Sequence, residues 1–243
     1  MPKYFITLLL IWGSFYLACR TKQAAPGAYT TTAVQAQQPD SPPLNRFERA
    51  IEAFEAADQE GASNMGKIVF TGSSSIRMWK SLEQDMAPLQ VLNRGFGGST
   101  IPEVTHYAER IILPYRPRCI VLYGGDNDIV DEAVTPERVL ETLKAYQANI
   151  QQHLPGTKTW FISIKPSPSR RHLLQKARQT NALVKAYTET DSLMAYIDVA
   201  TPMMASEDKI RPDIFISDSL HMNASGYALW TPIVKAALME GCR

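Results

Sequence analysis

The sequence predicts an α/β fold, a parallel β-sheet with helices on both faces. Three observations carry this. Short runs of β-branched and apolar residues recur five times between residues 67 and 200. Longer stretches with helical spacing of apolar residues lie between them. Those stretches are long enough to return the chain across a sheet, and strands alternating with such helices form right-handed βαβ units whose sheet is covered on both faces.

In chain order, "RFERAIEAFEAADQE" comes first, where Phe47, Ile51 and Phe54 recur at helical spacing and make a stripe that docks on the core. The strand candidates follow: "KIVFTG" (67–72), "LQVLNRG" (89–95), "CIVLYGG" (119–125), "TWFISIK" (159–165) and "MAYIDVA" (194–200). Between them lie the helical segments "SIRMWKSLEQDM", "IPEVTHYAERIIL", "PERVLETLKAYQANIQQHL" and "RRHLLQKARQTNALVKAYTET", and "ASGYALWTPIVKAALME" closes the chain. No internal repeat appears at solenoid or propeller periods.

The ends and the bulk composition limit the function. Residues 1–19, "MPKYFITLLLIWGSFYLAC", combine one lysine with an apolar run too short to cross a bilayer comfortably and a small residue, Ala18, before Cys19. This is the pattern of an export signal. Its "YLAC" ending resembles a bacterial lipobox, with Tyr16 where leucine is usual, which makes Cys19 a candidate lipidation site and a membrane tether. The plainer alternative is a cleaved signal peptide with an incidental cysteine. Residues 20–45, rich in Ala, Gln, Thr and Pro, read as a flexible linker, leaving 46–243 as the folded domain. With 45% hydrophobic and 20% charged residues, the 243-residue chain can bury one sizeable core. A net charge of +1 gives no long-range pull toward phosphate backbones, so nucleic acid is not an expected partner. Cys119 and Cys242 read as small buried or frayed residues, since their spacing fits neither a metal site nor a disulfide framework. Export would leave a disulfide between them open.

In parallel sheets chemistry collects at the carboxyl ends of the strands, and four stretches stand there. "GSSS" from Gly72 follows the first strand; alone it is an ordinary turn and helix cap, and Ile76 stands where a hydrolase elbow would have its second glycine. "NRGFGGST" from Asn93 has three glycines in four residues, which let backbone N–H groups approach an anion. It lacks a Walker lysine and a dinucleotide fingerprint, so no cofactor is expected. "YGGDNDI" from Tyr123 offers the Asn127 amide between Asp126 and Asp128, which are turn formers or, as a second reading, cation ligands. In "SDSLHMNASGY", Asp218 precedes His221 by three positions. An aspartate so placed can accept from His Nδ1 and leave Nε2 to take a proton from a hydroxyl. His106, His153 and His172 have no aspartate so placed and read as partly exposed polar residues.

In this order and at these places, the blocks resemble the SGNH hydrolase superfamily, also called the GDSL esterase/lipase family, from about Phe47 to the C-terminus. The resemblance implies a three-layer α/β/α sandwich with a five-stranded, flavodoxin-like parallel sheet. It makes Ser74 the nucleophile, with His221 and Asp218 completing a catalytic triad. It makes the Ser74 and Gly98 N–H groups and the Asn127 amide the oxyanion hole. Ser73 replaces the aspartate usual beside the nucleophile. The expected substrate is a small-molecule or polysaccharide ester. The absence of a long apolar insertion between the blocks favours short acyl groups, such as acetyl on carbohydrate, over a long-chain lipase or lysophospholipase. Arg94 and Phe96, beside the glycine loop, and Arg170 and Arg171, after the fourth strand, are candidate substrate-binding residues at the mouth. Two other classes compete, a noncatalytic carbohydrate-binding lipoprotein and a metal-dependent hydrolase built on Asp126 and Asp128.

Overall fold

The computed structural model describes Met1, residues 44–61 and residues 63–242. The export segment through Cys19 and the linker up to residue 43 lie outside the described residues. From a 3-10 turn at Leu44–Phe47 the chain enters α1 (Glu48–Glu60). It continues through β1 (Ile68–Gly72), α2 (Ser74–Arg77), α3 (Leu82–Met86), β2 (Val91–Gly95), α4 (Ile101–His106), α5 (Ala108–Ile111) and β3 (Cys119–Tyr123). The second half runs α6 (Pro136–His153), β4 (Lys158–Ile162), α7 (Leu174–Thr188), β5 (Met194–Ile197), β6 (Met204–Ser206), β7 (Lys209–Ile210) and α8 (Ala224–Gly241).

The first five strands form one parallel sheet in the order β2-β1-β3-β4-β5. Each overlaps its expected run, and β4 begins one residue early, at Lys158. Strand residues alternate between two cores. Ile68, Phe70, Val121 and Tyr123 pack with Ile76, Leu82, Trp230 and Val234 of α2, α3 and α8. Val69, Ile120 and Leu122 pack with Ile51, Val104, Leu143 and Val184 of α1, α4, α6 and α7. The period of two thus gives a sheet buried on both sides, the three-layer α/β/α sandwich expected.

This order reverses direction between β1 and β3, and in open α/β sheets ligands bind outside the carboxyl ends of the strands at such a switch point. Three features depart from the sequence reading. "SIRMWKSLEQDM" and "IPEVTHYAERIIL" are each two short helices rather than one. An antiparallel ribbon of β6 and β7 follows β5. Cys119 and Cys242, read as small buried or frayed residues with their pairing left open, form a disulfide with Cα atoms 5.9 Å apart, because the end of α8 lies against the start of β3.

Candidate active site

Three consecutive serines leave β1, and the fold treats them differently. Gly72 has φ +116°, and a Cβ there would collide with the Tyr123 carbonyl, so only glycine lets β1 turn out beside β3. Ser73 is fully buried; its N–H donates to the Tyr123 carbonyl (3.0 Å) and its carbonyl accepts from Ile76 and Arg77. Ser75, the second residue of α2, is buried. Ser74 is the first residue of α2 and the one serine of the three that is partly exposed. Its N–H, at a helix start, has no acceptor within the helix.

The histidine arrives on a tight loop before α8. Phe215 bridges to Met222, the Ile216 N–H donates to the His221 carbonyl (2.9 Å), and Ser219 takes a left-handed φ of 57°. Asp218 Oδ1 accepts from the N–H groups of Leu220 and His221, both at 2.9 Å. Its Oδ2 accepts from His221 Nδ1 at 2.6 Å. The hydrogen bond from His221 holds the Asp218 carboxyl down at about 2, so it is an anion wherever the protein is folded at ordinary pH. On the far side of the ring, Ser74 Oγ lies 3.0 Å from His221 Nε2, placed to donate its proton.

The other two blocks follow β2 and β3, the strands that flank β1. Gly98 has φ +86° with open space around its Cβ position, so conformation rather than crowding demands glycine. Its carbonyl accepts from Arg46 (3.0 Å), which also pairs with the buried Glu103. Glu103 in turn accepts from the Thr100 N–H in a capping box that starts α4. Asn127 Nδ2 donates to the Ser99 carbonyl at 2.9 Å, tying the β3 turn to the glycine loop.

The sequence profile of the GDSL-like lipase/acylhydrolase family matches residues 60–229. The chain belongs to that family. It is a hydrolase of ester bonds. Solved structures with the same fold include a GDSL-like lipase from Bacteroides thetaiotaomicron, 19% identical with a TM-score of 0.68, covering 82% of this chain and 99% of that one. A lipase/acylhydrolase from Enterococcus faecalis is 21% identical with a TM-score of 0.57 over 72% of this chain and 95% of that one. An acetyl xylan esterase from Geobacillus stearothermophilus is 14% identical with a TM-score of 0.57 over 70% of this chain and 94% of that one. No curated protein matches the chain.

In this acylhydrolase the expected mouth residues divide. Arg94 is buried and turned away from Ser74: it pairs with Asp58 of α1, donates to the Tyr115 hydroxyl (2.7 Å) and lies over the Phe54 ring. Phe96 is buried between Phe47 and Tyr107. Both have the strand parity of Leu92, which faces the α1 layer, and that parity was the available signal. Arg171 donates to the Asp208 carbonyl on the surface. Arg170 alone reaches the site, where it donates to the Asp126 carbonyl (2.7 Å) and to Asn127 Oδ1 (2.9 Å).

The two aspartates read as cation ligands already face protein donors. Asp128 accepts from the Ile101 and Gly125 N–H groups, both at 3.0 Å. Asp126 accepts from the Ser73 and Tyr123 hydroxyls and faces Lys165 Nζ at 3.6 Å. Among the described residues no cluster of three or more His, Cys, Asp or Glu side chains is set to hold a metal. The sequence reading missed Lys165, Arg46 and Glu103; a lysine ending a buried strand in "FISIK" was the clue to the first. A cleft of about 430 Å³ lies between α7 and the β6–β7 ribbon, and Ser74 is not in its wall.

Proposed function

We propose that this acylhydrolase is an exported serine esterase that removes short acyl groups, acetyl above all, from carbohydrate. The observation that supports it most is the unbroken line from Asp218 through His221 to the Ser74 hydroxyl. Ser74 Oγ attacks the ester carbonyl carbon while His221 Nε2 takes its proton, and Asp218 orients the ring and stabilises its charged form. The oxyanion accepts hydrogen bonds from the Ser74 and Gly98 N–H groups and from the second Nδ2 hydrogen of Asn127, one such donor being worth about 3–4 kcal/mol of barrier. Collapse breaks the ester C–O bond, and His221 gives its proton to the departing alcohol, leaving an acyl-serine. Water then attacks the acyl carbon as His221 accepts a proton from it, and the acid departs as that proton returns to Ser74.

The short-acyl reading is supported by the absence of a lid-sized apolar insertion and by the acetyl xylan esterase that shares the fold. Export is supported by the pattern of residues 1–19 and by the Cys119–Cys242 disulfide, a bond that persists in oxidising compartments. Cys19 is the proposed point of lipid attachment. The test is labelling with a fluorophosphonate probe, followed by a screen of p-nitrophenyl esters of increasing chain length and of acetylated xylan, pectin and sialic acid. Covalent modification at Ser74 and preference for acetyl are expected. A folded protein that takes no label is a binder, and a preference for long acyl chains makes it a lipase.

A further inference from the structure

Asn127 is a side-chain amide, and its oxygen and nitrogen can exchange places by a half-turn. We propose that Arg170 is the residue that fixes this choice, a positioning residue for the oxyanion donor that also ties it to the nucleophile turn; the inference rests on the role given to Asn127 above.

Arg170 sits on the 3-10 segment Pro168–Leu173 that follows β4. Its planar fork grips two consecutive residues of the β3 turn at once. Nη1 donates to the Asp126 carbonyl at 2.7 Å, and Nη2 donates to Asn127 Oδ1 at 2.9 Å. With Oδ1 held there, Nδ2 meets the Ser99 carbonyl at 2.9 Å and keeps one hydrogen for the site. The flipped amide would set an NH2 group against a guanidinium, which has donors only, and an oxygen against a carbonyl oxygen. Both mismatches oppose the flip. A guanidinium, unlike an ammonium, can bridge two acceptors in fixed geometry.

Arg170 is in turn held in place. Its Nη1 lies 3.4 Å from Asp126 Oδ2, on a carboxylate that is only 6% exposed. The same carboxylate faces the buried Lys165 ammonium at 3.6 Å and accepts from Tyr123 (3.0 Å) and from the hydroxyl of Ser73 (3.3 Å). Ser73 immediately precedes the nucleophile. The chain of contacts Asn127, Arg170, Asp126, Ser73 therefore sets the amide and the serine turn against one buried anchor.

The test compares Arg170→Ala, Arg170→Lys, Asn127→Ala and the double variant Asn127→Ala/Arg170→Ala, as full chains, on p-nitrophenyl acetate. Arg170→Ala is expected to lower kcat about tenfold to a hundredfold, less than outright loss of a donor, with KM within about twofold. Millimolar guanidinium should restore part of kcat in Arg170→Ala and none in Asn127→Ala. The double variant should be no slower than Asn127→Ala, since both act through one amide. A rise in KM with kcat intact would make Arg170 a substrate contact, and losses that multiply in the double variant would make it independent of Asn127; either overturns the inference. If Arg170→Ala does not fold, Arg170→Lys carries the test, and wild-type kcat in that variant overturns it equally. Should Asn127→Ala itself keep full kcat, the oxyanion reading fails; should it lose kcat while Arg170 variants do not, only the positioning role fails.

Discussion

Ser74 Oγ and His221 Nε2 lie 3.0 Å apart although 147 positions separate them in the chain. Neither side chain has another group that could replace the other, so they act as a unit. Ser74→Ala and His221→Ala are each expected to lower kcat on p-nitrophenyl acetate by about four to six orders of magnitude, and the double variant should be no slower than the worse single one. Ser73→Ala and Ser75→Ala, whose hydroxyls are buried away from the opening, should keep much of the activity. Steady-state kinetics on folded variants decide it. Activity surviving in Ser74→Ala would move the nucleophile to a neighbour.

Asp218 sets an acid limit to stability. Its carboxyl is held at about 2 in the folded protein by the His221 hydrogen bond, whereas an unfolded chain binds that proton near 3.9. The folded value is the lower one, so its contribution to stability is fully present above about pH 4 and is lost as pH falls through about 2. Between pH 4 and 7 the carboxylate does not titrate. The advantage in calorimetric Tm that the wild type holds over Asp218→Asn should therefore stay level from pH 7 down to about 4 and shrink below it. An advantage that already shrinks between pH 7 and 5 would show that the Asp218 carboxyl takes up its proton there.

The sheet and the Asp218–His221 pairing were legible because each depends on a local signal. Strands buried on both faces leave apolar runs, and Asp218 with His221 sit on one loop, three positions apart. What was hidden depends on partners remote in sequence. Ile76, Trp79, Leu82 and Met86 keep helical spacing through the break between α2 and α3, so periodicity passes over it. There the chain turns to seat the Trp79 indole, which donates to Asp85 (2.6 Å) and packs on Tyr227 and Trp230. Strands of three and two residues are too short to show alternation, which hid the β6–β7 ribbon. Lys165 and Asp126 belong to different strand ends, and nothing in either segment announces the other.

Asp128 gives a stability signal of opposite sign to that of Asp218. Burial pushes its carboxyl up to about 7, even though two backbone N–H groups favour its charged form. The unfolded chain ionises it near 3.9. From about pH 4 to about 7 the folded protein therefore holds a proton that the unfolded chain has released, and stability falls as pH rises through that window. Asp128→Asn does not titrate and carries a pH-independent cost from setting an NH2 group against a backbone donor. Calorimetric Tm values from pH 4.5 to 7.5 should show the wild type losing ground to this variant as pH rises. A constant gap would mean that the carboxyl stays ionised throughout.

The Cys119–Cys242 disulfide should matter for stability and not for chemistry. It closes a loop of 123 positions from the first residue of β3 to the end of α8, nearly the second half of the chain. In the chain-entropy account a loop of that order restrains the unfolded state by about 4–5 kcal/mol, and observed effects centre on about 2–4 kcal/mol. Cys119 begins a strand whose other end, Tyr123, leads into the Asn127 turn, and strand rise sets those ends about 13 Å apart. Replacing both cysteines with alanine should therefore lower the unfolding free energy by about 2–4 kcal/mol in denaturant titrations while kcat on p-nitrophenyl acetate stays within about twofold. Both side chains are buried, so the wild-type bond should resist mild reductant until the protein unfolds. A double variant as stable as the wild type would mean that the end of α8 is held by packing alone, and a large fall in kcat would mean that a change at the start of β3 reaches the Asn127 turn.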